Sequence, residues 1–331
     1  MKKISISNNL KKMISILNDH EYHSGTDMGK SLGLSRGAVW KSIKQLTALG
    51  INIESATNRG YKTEHILEFL TTEKIKKYLS AQRLSLLDNF FIFDSIDSTN
   101  DYLISYAKKN KNTNAVCFSE YQSAGRGRLE RSWASPFLSN ICMSLLWNFN
   151  VDITALTGLH ILSGLAVVHA LEKATKIQGI QLKWPNDIMW NNHKLGGILI
   201  DITGEYNGSC SVVIGIGLNV NMPEKLLCEI EKPWTSINRI TNISVSRNLI
   251  AGIMLDFLVA HLIQFSKSGL SKFVKQWKEK DYLVGKAVKV ATATKSLSGT
   301  AKGIDDQGGL LLETQNKTIV AINSGDASLH L

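Results

Sequence analysis

The sequence predicts an α+β multidomain chain: an N-terminal winged helix-turn-helix, a central mixed α/β domain and a small C-terminal SH3-like β-barrel. Three observations carry that reading. Within the first 63 residues, three amphipathic segments, two of them with serine caps, are followed by two strand-length runs. The long middle alternates apolar strand-length runs with long apolar helices. The last fifty residues or so break into short strands separated by Asp305-Asp306-Gln307-Gly308 and Gln315-Asn316. Domain boundaries are expected at 1–65, 66–280 and 281–331.

In the N-terminal segment, Leu10, Met13, Ile14 and Leu17 recur at helical spacing and define a first helix. Ser24 can cap a second, short helix carrying Met28 and Leu32, which Gly33 ends. Ser35 caps a third, with Val39, Ile43 and Leu46 on its apolar side and Gly50 at its close. Arg36, Trp40, Lys41 and Lys44 share its opposite face. Ile51–Glu54 and Gly60–Thr63, joined through Asn58 and Arg59, complete a winged helix. In that fold the third helix, from Ser35 onward, enters the major groove, and Arg59 and Lys62 on the wing reach phosphates.

Charge agrees with this placement. The whole chain has 38 basic and 28 acidic side chains, a net +10. Residues 1–65 hold ten basic and five acidic ones, so +5 lies there and +5 is spread over the other 266. An anionic partner for the N-terminal part follows, with nucleic acid first. The alternative is a trihelical protein-binding module with a solvated basic face. Gly37, costing about 1 kcal/mol relative to Ala in a helix interior, counts against a rigid reading helix.

Residues 64–88 read as a polar connecting helix that begins at Thr71-Thr72-Glu73. In the middle, Ala115–Tyr121, Asn140–Trp147, Ile180–Lys183, Ile188–Trp190, Gly197–Thr203 and Ser211–Asn219 read as strands. Leu156–Ala174, Asn248–Phe265 and Lys272–Lys280 read as helices, the first apolar nearly all round and hence buried behind the sheet. Ala287–Ala293, Gly299–Ile304, Gly309–Glu313 and Lys317–Ile322 read as barrel strands.

With 44% hydrophobic residues and four prolines, the chain is neither disordered nor linker-rich. Met1–Ser5 leads into Asn8-Asn9 instead of an apolar signal core. The most apolar stretch, Leu156–Leu171, is interrupted by Thr157, His160, Ser163 and His169 and falls short of the ~18 apolar residues of a spanning helix. A cytoplasmic protein without membrane contact is expected. Cys117, Cys142, Cys210 and Cys228 form no Cys-x-x-Cys pair, which fits free thiols in a reducing compartment. His20-x-x-His23 reads as a surface turn and not a zinc site, and no tightly bound metal is expected.

Four patches of the middle domain carry chemistry: Asp97-Ser98-Thr99-Asn100, Gln122 through Gly125-Arg126-Gly127-Arg128, Lys183-Trp184-Pro185-Asn186-Asp187, and Lys194-Leu195-Gly196-Gly197. Ser98, Thr99, Asn100 and Gln122 are neutral hydrogen-bonders, suited to an uncharged polar head group or equally to capping a helix. The Gly-Arg-Gly-Arg loop joins backbone freedom to two guanidiniums and suits closure over an anion. Lys183, at a strand end, can place charge over a developing phosphate or carboxylate. Asp187 can hold a magnesium ion or serve as a turn residue. Gly196 and Gly197 allow a close backbone approach or mark a bulge. There is no Gly-x-x-x-x-Gly-Lys phosphate loop, so any ATP is bound by another device.

Taken in this order, the four patches strongly resemble the biotin–protein ligases. With the winged helix in front, all three segments resemble the bifunctional biotin ligases that also repress a biotin operon. The resemblance implies a biotin-ligase catalytic domain that is ATP-dependent and AMP-forming. Biotin and Mg2+-ATP give biotinyl-5′-adenylate, and a lysine of the biotin carboxyl carrier protein of acetyl-CoA carboxylase then accepts the biotinyl group. It assigns Ser98, Thr99, Asn100, Gln122, Gly125, Arg126, Gly127, Arg128, Lys194, Gly196 and Gly197 to biotin. Lys183, Arg128 and Lys194 become catalytic, Trp133, Asn186 and Asn219 face the adenylate, and Asp187 is a magnesium ligand. It also implies a homodimer when adenylate-bound, with operator DNA as partner.

Two departures stand out. Leu129-Glu130-Arg131 follows the Gly-Arg-Gly-Arg run where the family commonly has another glycine, which adds negative charge and stiffness to the loop. Ala134 follows Trp133 where an aromatic residue often covers adenine. Competing readings are a ligase whose winged helix no longer binds an operator, a ligand-sensing repressor without catalysis, and a ligase acting on lipoate. So many phosphate-directed cations argue against a pure sensor.

Overall fold

The computed structural model describes residues 6–19, 21–63, 67–206, 208–223, 233–292 and 294–329. His20, Cys228 and Ala293, and the expected boundary at 65/66, lie outside or against residues that are not described.

Helix α1 (Asn8–Ile16) starts where the Ser7 hydroxyl accepts the Leu10 N–H, and a 3-10 turn, Leu17–Asp19, follows it. Ser24 caps α2 (Gly25–Leu32), which ends on Gly33 at φ 64, and Ser35 caps α3 (Arg36–Ala48). Each cap satisfies an N–H that the helix cannot. Strands β1 (Ile53–Ala56) and β2 (Gly60–Thr63) form the wing. Leu10, Met13, Ile14, Leu17, Met28, Val39, Ile43 and Leu46 are all buried, so the expected apolar stripes are the core. Gly37 sits in the first turn of α3, away from its interior.

The single connecting helix is instead two, α4 (Thr72–Lys76) and α5 (Ala81–Leu84), because Ser80 acts as a second cap, accepting the Arg83 N–H.

The central domain runs β3 (Asn89–Phe93), α6 (Thr99–Lys109), β4 (Ala115–Ser119), β5 (Ile141–Phe149), α7 (Leu159–Thr175), β6 (Ile180–Lys183), β7 (Asp187–Trp190), β8 (His193–Tyr206) and β9 (Ser209–Leu218), then α8 (Ile237–Thr241), α9 (Arg247–Ser268) and α10 (Ser271–Lys280). Its seven-stranded sheet has the order β3-β4-β5-β9-β8-β7-β6. Only β3 and β4 are parallel neighbours, as β3-α6-β4 forms a crossover. The sequence reading lacked β3 and α8 as elements and offered α6 only as the helix that Ser98–Asn100 could cap.

Helices α7 and α9 pack on each other and on one sheet face, whereas α6 lies on the other. By length and composition, Ile153–Thr175 and Arg247–Ser268 could each cross a bilayer, which corrects the expectation that the first falls short. Here both supply the apolar layer behind the sheet, with Ile161, Leu162, Leu165, Leu255 and Leu258 fully buried. Strand alternation then separates two surfaces. Phe118, Met143, Leu145, Ile214 and Ile216 belong to the cluster under α7 and α9. The residues between them on β5 and β9 include Cys142, Ser144, Gly215 and Gly217, so the α6 side is lined by small groups and leaves room for a ligand.

The C-terminal domain comprises β10 (Ala287–Ala291), β11 (Ser296–Ile304), β12 (Leu310–Glu313), β13 (Ile319–Ile322) and β14 (Asp326–Leu329), paired in the order β13-β12-β11-β10-β14. Strands β13 and β14 lie at opposite edges of the order, yet only Asn323, Ser324 and Gly325 separate them. Four chain links span at most about 14 Å, so the sheet must roll up. It is barrel-like, but the ladder does not close with a β13–β14 pairing among the described residues.

Contacts tie the three segments together. Phe137 and Leu138, just ahead of β5, are buried in the same cluster as α1, and Lys11 pairs with Asp94 at 2.7 Å. Arg247 and Glu120 form an ion pair at 2.7 Å, both about 1% exposed. Glu120 also accepts the Leu70 N–H, and Arg247 donates to the Glu68 carbonyl, so the pair anchors the interdomain connection. Trp184 donates its indole N–H to the Gly308 carbonyl at 3.0 Å, fixing the C-terminal domain to the β6–β7 turn.

Candidate active site

A pocket of about 610 Å³ lies on the α6 side of the central sheet. Directly opposed residues on neighbouring strands point to one face. The register therefore lays out one row as Lys183, Asp187, Gly197, Gly217, Cys142 and Ser119. A second row runs Leu199, Gly215, Ser144 and Cys117. Glycine at 197, 215 and 217 lowers the floor. A Cβ at Gly215 would lie 2.2 Å from Asn100 Oδ1, and one at Gly217 would lie 2.4 Å from the Trp133 ring. Those glycines let Asn100 and Trp133 lie flat on the sheet.

One end of the pocket is neutral and tightly hydrogen-bonded. Ser98 caps α6, and the N–H and hydroxyl of Thr99 both donate to Gln122 Oε1, at 2.8 and 3.1 Å. Ser144 donates to Asn100 Oδ1 at 2.5 Å, and Asn100 Nδ2 donates to Asp201 at 2.8 Å. The Asn100 amide is thus committed at both ends to the protein and holds the wall in shape. The sequence alternatives of helix cap and ligand wall are therefore not exclusive, because Ser98 and Thr99 line the pocket from the first turn of α6.

The other end is cationic. Lys194 Nζ lies 2.6 Å from Asp187 Oδ1 and 5.7 Å from the Trp133 ring centre. Arg126 sits instead at the edge of the α6 end, between Asp101 at 2.7 Å and Asp201 at 3.0 Å, on the same Asp201 oxygen to which Asn100 donates. Arg128 donates to the Gly325 carbonyl at 2.9 Å, while burial pulls its pKa down against the opposing pull of Asp326 and Asp187. The arginines of the loop thus meet protein carboxylates and a carbonyl. Arg131, Asp326, Asp101, Asp201, Cys142, Met222 and Trp234 were not singled out from the sequence, yet all but Asp101 and Asp201 form part of the wall. Arg131 is three residues from Arg128 in an already recognised loop. Nothing local marks Asp326, which reaches Arg131 across a separation of 195 residues.

The structure brings most of the expected residues together but moves some of them. Lys183 shares the pocket face with its strand partner Asp187 yet stands outside the wall, one strand further out. Gly196 points away, toward the Gly217 carbonyl and Ile188, at the bulge between Ile188 and Met189. Gly125 is also outside the wall. It packs under the Trp133 carbonyl and accepts the Trp133 N–H at 2.8 Å, so it shapes the loop stem. Gly127, Asn186 and Asn219 line the pocket, though Asn186 donates to the Ile198 carbonyl and Asn219 to the Thr235 carbonyl. The indole N–H of Trp133 faces the Cys142 thiol, that of Trp234 finds no acceptor among the described residues, and both rings border the pocket. Burial pushes the Cys142 thiol up to about 12, so this wall cysteine stays protonated and non-nucleophilic.

On the N-terminal domain, Arg36, Trp40, Lys41 and Lys44 are exposed together along α3, and Lys44 Nζ lies 3.9 Å from the Trp40 ring centre. On the wing, Arg59 stacks on Tyr22 at 4.1 Å, with Lys62 Nζ at 5.6 Å from the same ring. Tyr22 also donates to Glu54 on β1, so it gathers the wing cations. Ser35 is engaged as the cap of α3, accepting the Ala38 N–H at 3.2 Å. The residues expected to face DNA are therefore contiguous within each of their two elements.

Comparison with known proteins places the three segments. Residues 92–221 match the Biotin/lipoate A/B protein ligase family, residues 283–330 the Biotin protein ligase C terminal domain, and residues 9–62 the HTH domain. The bifunctional ligase/repressor BirA of Salmonella typhimurium is 34% identical over 317 residues, 96% of each chain. That of Bacillus subtilis is 31% identical over 312 residues, 94% of each chain. The biotin protein ligase from Aquifex aeolicus in complex with biotin and ATP aligns with a TM-score of 0.62 and 28% identity, over 74% of this chain and 99% of that one. N-terminal, central and C-terminal segments thus match these relatives nearly end to end, and the chain belongs to the family of bifunctional biotin ligase/repressors.

Proposed function

We propose that the chain activates biotin with ATP to biotinyl-5′-adenylate, transfers the biotinyl group to a lysine of a biotin carboxyl carrier protein, and represses a biotin operon as its adenylate-bound dimer. The observation that carries the reading is the pocket's polarity: neutral hydrogen-bonders at one end, a small-residue floor, and Lys194 with Arg128 at the other end. In the first step a biotin carboxylate oxygen attacks the α-phosphorus and pyrophosphate leaves. In the second, a lysine amine attacks the mixed anhydride and AMP leaves. Neither step calls for a protein nucleophile, and the buried Cys142 thiol is unsuited to be one.

What the chain supplies is position and charge. Ser98, Thr99 and Gln122 receive the head group, with Asn100 holding their wall, and the glycine floor admits the bicyclic ring and valeryl chain. Lys194 neutralises the carboxylate and α-phosphate as negative charge gathers on phosphorus, and Lys183 adds longer-range charge from the rim. Trp133 and Trp234 offer aromatic surface, which supplies what Ala134 lacks for the adenine. Magnesium enters with ATP. The chain offers Asp187, a single carboxylate already beside Lys194, and no group of three or more His, Cys, Asp or Glu side chains among the described residues. Asp187 would be the chain's ligand to that ion, with ATP phosphates and water supplying the others. A cytoplasmic setting fits an ATP-consuming enzyme with buried thiols at Cys117, Cys142 and Cys210.

The test is ATP–pyrophosphate exchange by the purified protein with biotin, lipoate and octanoate side by side. Exchange with biotin is expected. Exchange with lipoate alone would overturn the substrate. For repression, a mobility shift on the region upstream of a biotin-synthesis operon should require biotin and ATP together. No adenylate-dependent shift at physiological salt would leave a ligase without an operator.

A further inference from the structure

The loop that covers the pocket is held only in part by its own backbone hydrogen bonds. Its stem is an antiparallel pairing of Arg126 with Ser132, and its tip bonds through Gly127 N–H to the Arg131 carbonyl at 2.7 Å. At the tip, Leu129 and Glu130 both have positive φ, 53 and 59, although neither is glycine. Two consecutive left-handed residues of this kind are unfavourable on their own. Leu129 is 66% exposed and contributes little packing to offset that.

The tip is gripped from outside. The turn between β13 and β14 meets the loop at two points: the Gly325 carbonyl accepts from Arg128 Nη2 at 2.9 Å, and Asp326 Oδ2 pairs with Arg131 at 2.5 Å. That turn is itself rigidly seated. A Cβ at Gly325 would lie 2.8 Å from the Ala291 carbonyl, so the turn is pressed against β10. Asp326 begins β14 and pairs in register with Ala291. Behind it, the Trp184–Gly308 hydrogen bond locks the domain onto the β6–β7 turn that leads into Asp187.

We infer that Asp326 is a positioning residue for the ligase reaction: the C-terminal domain latches the loop through Arg131 and Arg128, and so slows escape of the acyl-adenylate before the acceptor lysine arrives. This rests on the proposed ligase reading. The latch compensates for the glycine that the loop lacks at residue 130. Asp326 needs no contact with substrate to do this. It acts through Arg131, and its removal shortens the adenylate's residence more than it slows its formation.

The experiment compares the unaltered protein, Asp326→Asn, and the charge-exchanged pair Asp326→Arg with Arg131→Asp. Two quantities are measured. One is the dissociation rate of pre-formed biotinyl-adenylate in a chase. The other is the rate of tryptic cleavage after Arg128 in the unliganded full-length chain, read by mass spectrometry. Asp326→Asn is expected to speed both, roughly two- to five-fold for a half-exposed ion pair, and the exchanged pair is expected to restore both. Unchanged loop cleavage in Asp326→Asn would overturn the latch whatever the enzyme activates. Faster adenylate release without rescue by the exchanged pair would also overturn it, by making Asp326 a direct ligand contact. If the unaltered protein forms no biotinyl-adenylate, the ligase reading fails and the cleavage arm still decides the latch.

Discussion

Replacing Gly215 by Ala probes the floor of the head-group end. The added methyl would lie 2.2 Å from Asn100 Oδ1, 2.9 Å from its Cγ and 3.0 Å from its Nδ2. Ordinary contact needs roughly 1 Å more than the shortest of these. Asn100 cannot swing aside cheaply, because Ser144 holds one end at 2.5 Å and Asp201 the other at 2.8 Å. Displacing it sacrifices a neutral hydrogen bond and one to a carboxylate, together about 2–4 kcal/mol. Part of this appears as lost stability, readable by urea denaturation. The rest appears at the pocket, because the same wall includes Thr99 and Gln122. Biotin affinity by titration calorimetry should fall at least about tenfold, equivalent to about 1.4 kcal/mol, while the KM for ATP changes little. Gly37→Ala, at a site with no atom within 4 Å of the new methyl, serves as the control and should leave biotin binding unchanged. Unaltered biotin affinity and stability in Gly215→Ala would refute the packing of Asn100 over β9, and with it this account of the head-group wall.

Glu130→Gly should raise stability by about 1 kcal/mol, since glycine accepts the left-handed backbone that Glu130 adopts at φ 59; a loss in urea denaturation would mean the turn is built otherwise. Arg247→Met should destabilise by about 3–5 kcal/mol by stranding Glu120 in the interior. Adding Glu120→Leu should recover part of that loss, and a neutral single variant would show that the pair is hydrated. Burial pushes His160 and His261 down to about 4 from an ordinary 6.5, so both are neutral in the folded chain and take up protons on unfolding. Their contribution is complete above about pH 6.5 and is lost as pH falls toward about 4, by up to roughly 3 kcal/mol each. The melting temperature should therefore drop between pH 7 and 5, and a flat profile would contradict their burial.

Local chemistry made much of the fold legible. Ser24 and Ser35 cap the helices assigned to them, because a cap is decided within three residues. The stripes Leu10–Leu17 and Val39–Leu46 became the N-terminal core for the same reason. The connecting segment misled because Thr71 and Ser80 are both caps, and a continuous polar pattern hides the break between them. Strand β3 escaped because Asn89-Phe-Phe-Ile-Phe93 shows no alternation, all five residues being half-buried.

The sequence by itself determined the three-part order, the family and the residue types of the pocket, since four short motifs and the helix caps are properties of neighbouring residues. The tertiary structure alone decided how those residues are used. It set Lys183 on the rim, turned Gly196 to the far side of the sheet, and committed Asn100 to Ser144 and Asp201. It also placed Asp326 on Arg131 and the Gly325 carbonyl on Arg128. Strand register and domain docking bring together groups nearly two hundred residues apart, and neither is encoded in any local spacing. The excess positive charge likewise resolves into two surfaces only in three dimensions: an exposed face on α3 and the wing, and a pocket where carboxylates already sit beside Arg126 and Lys194.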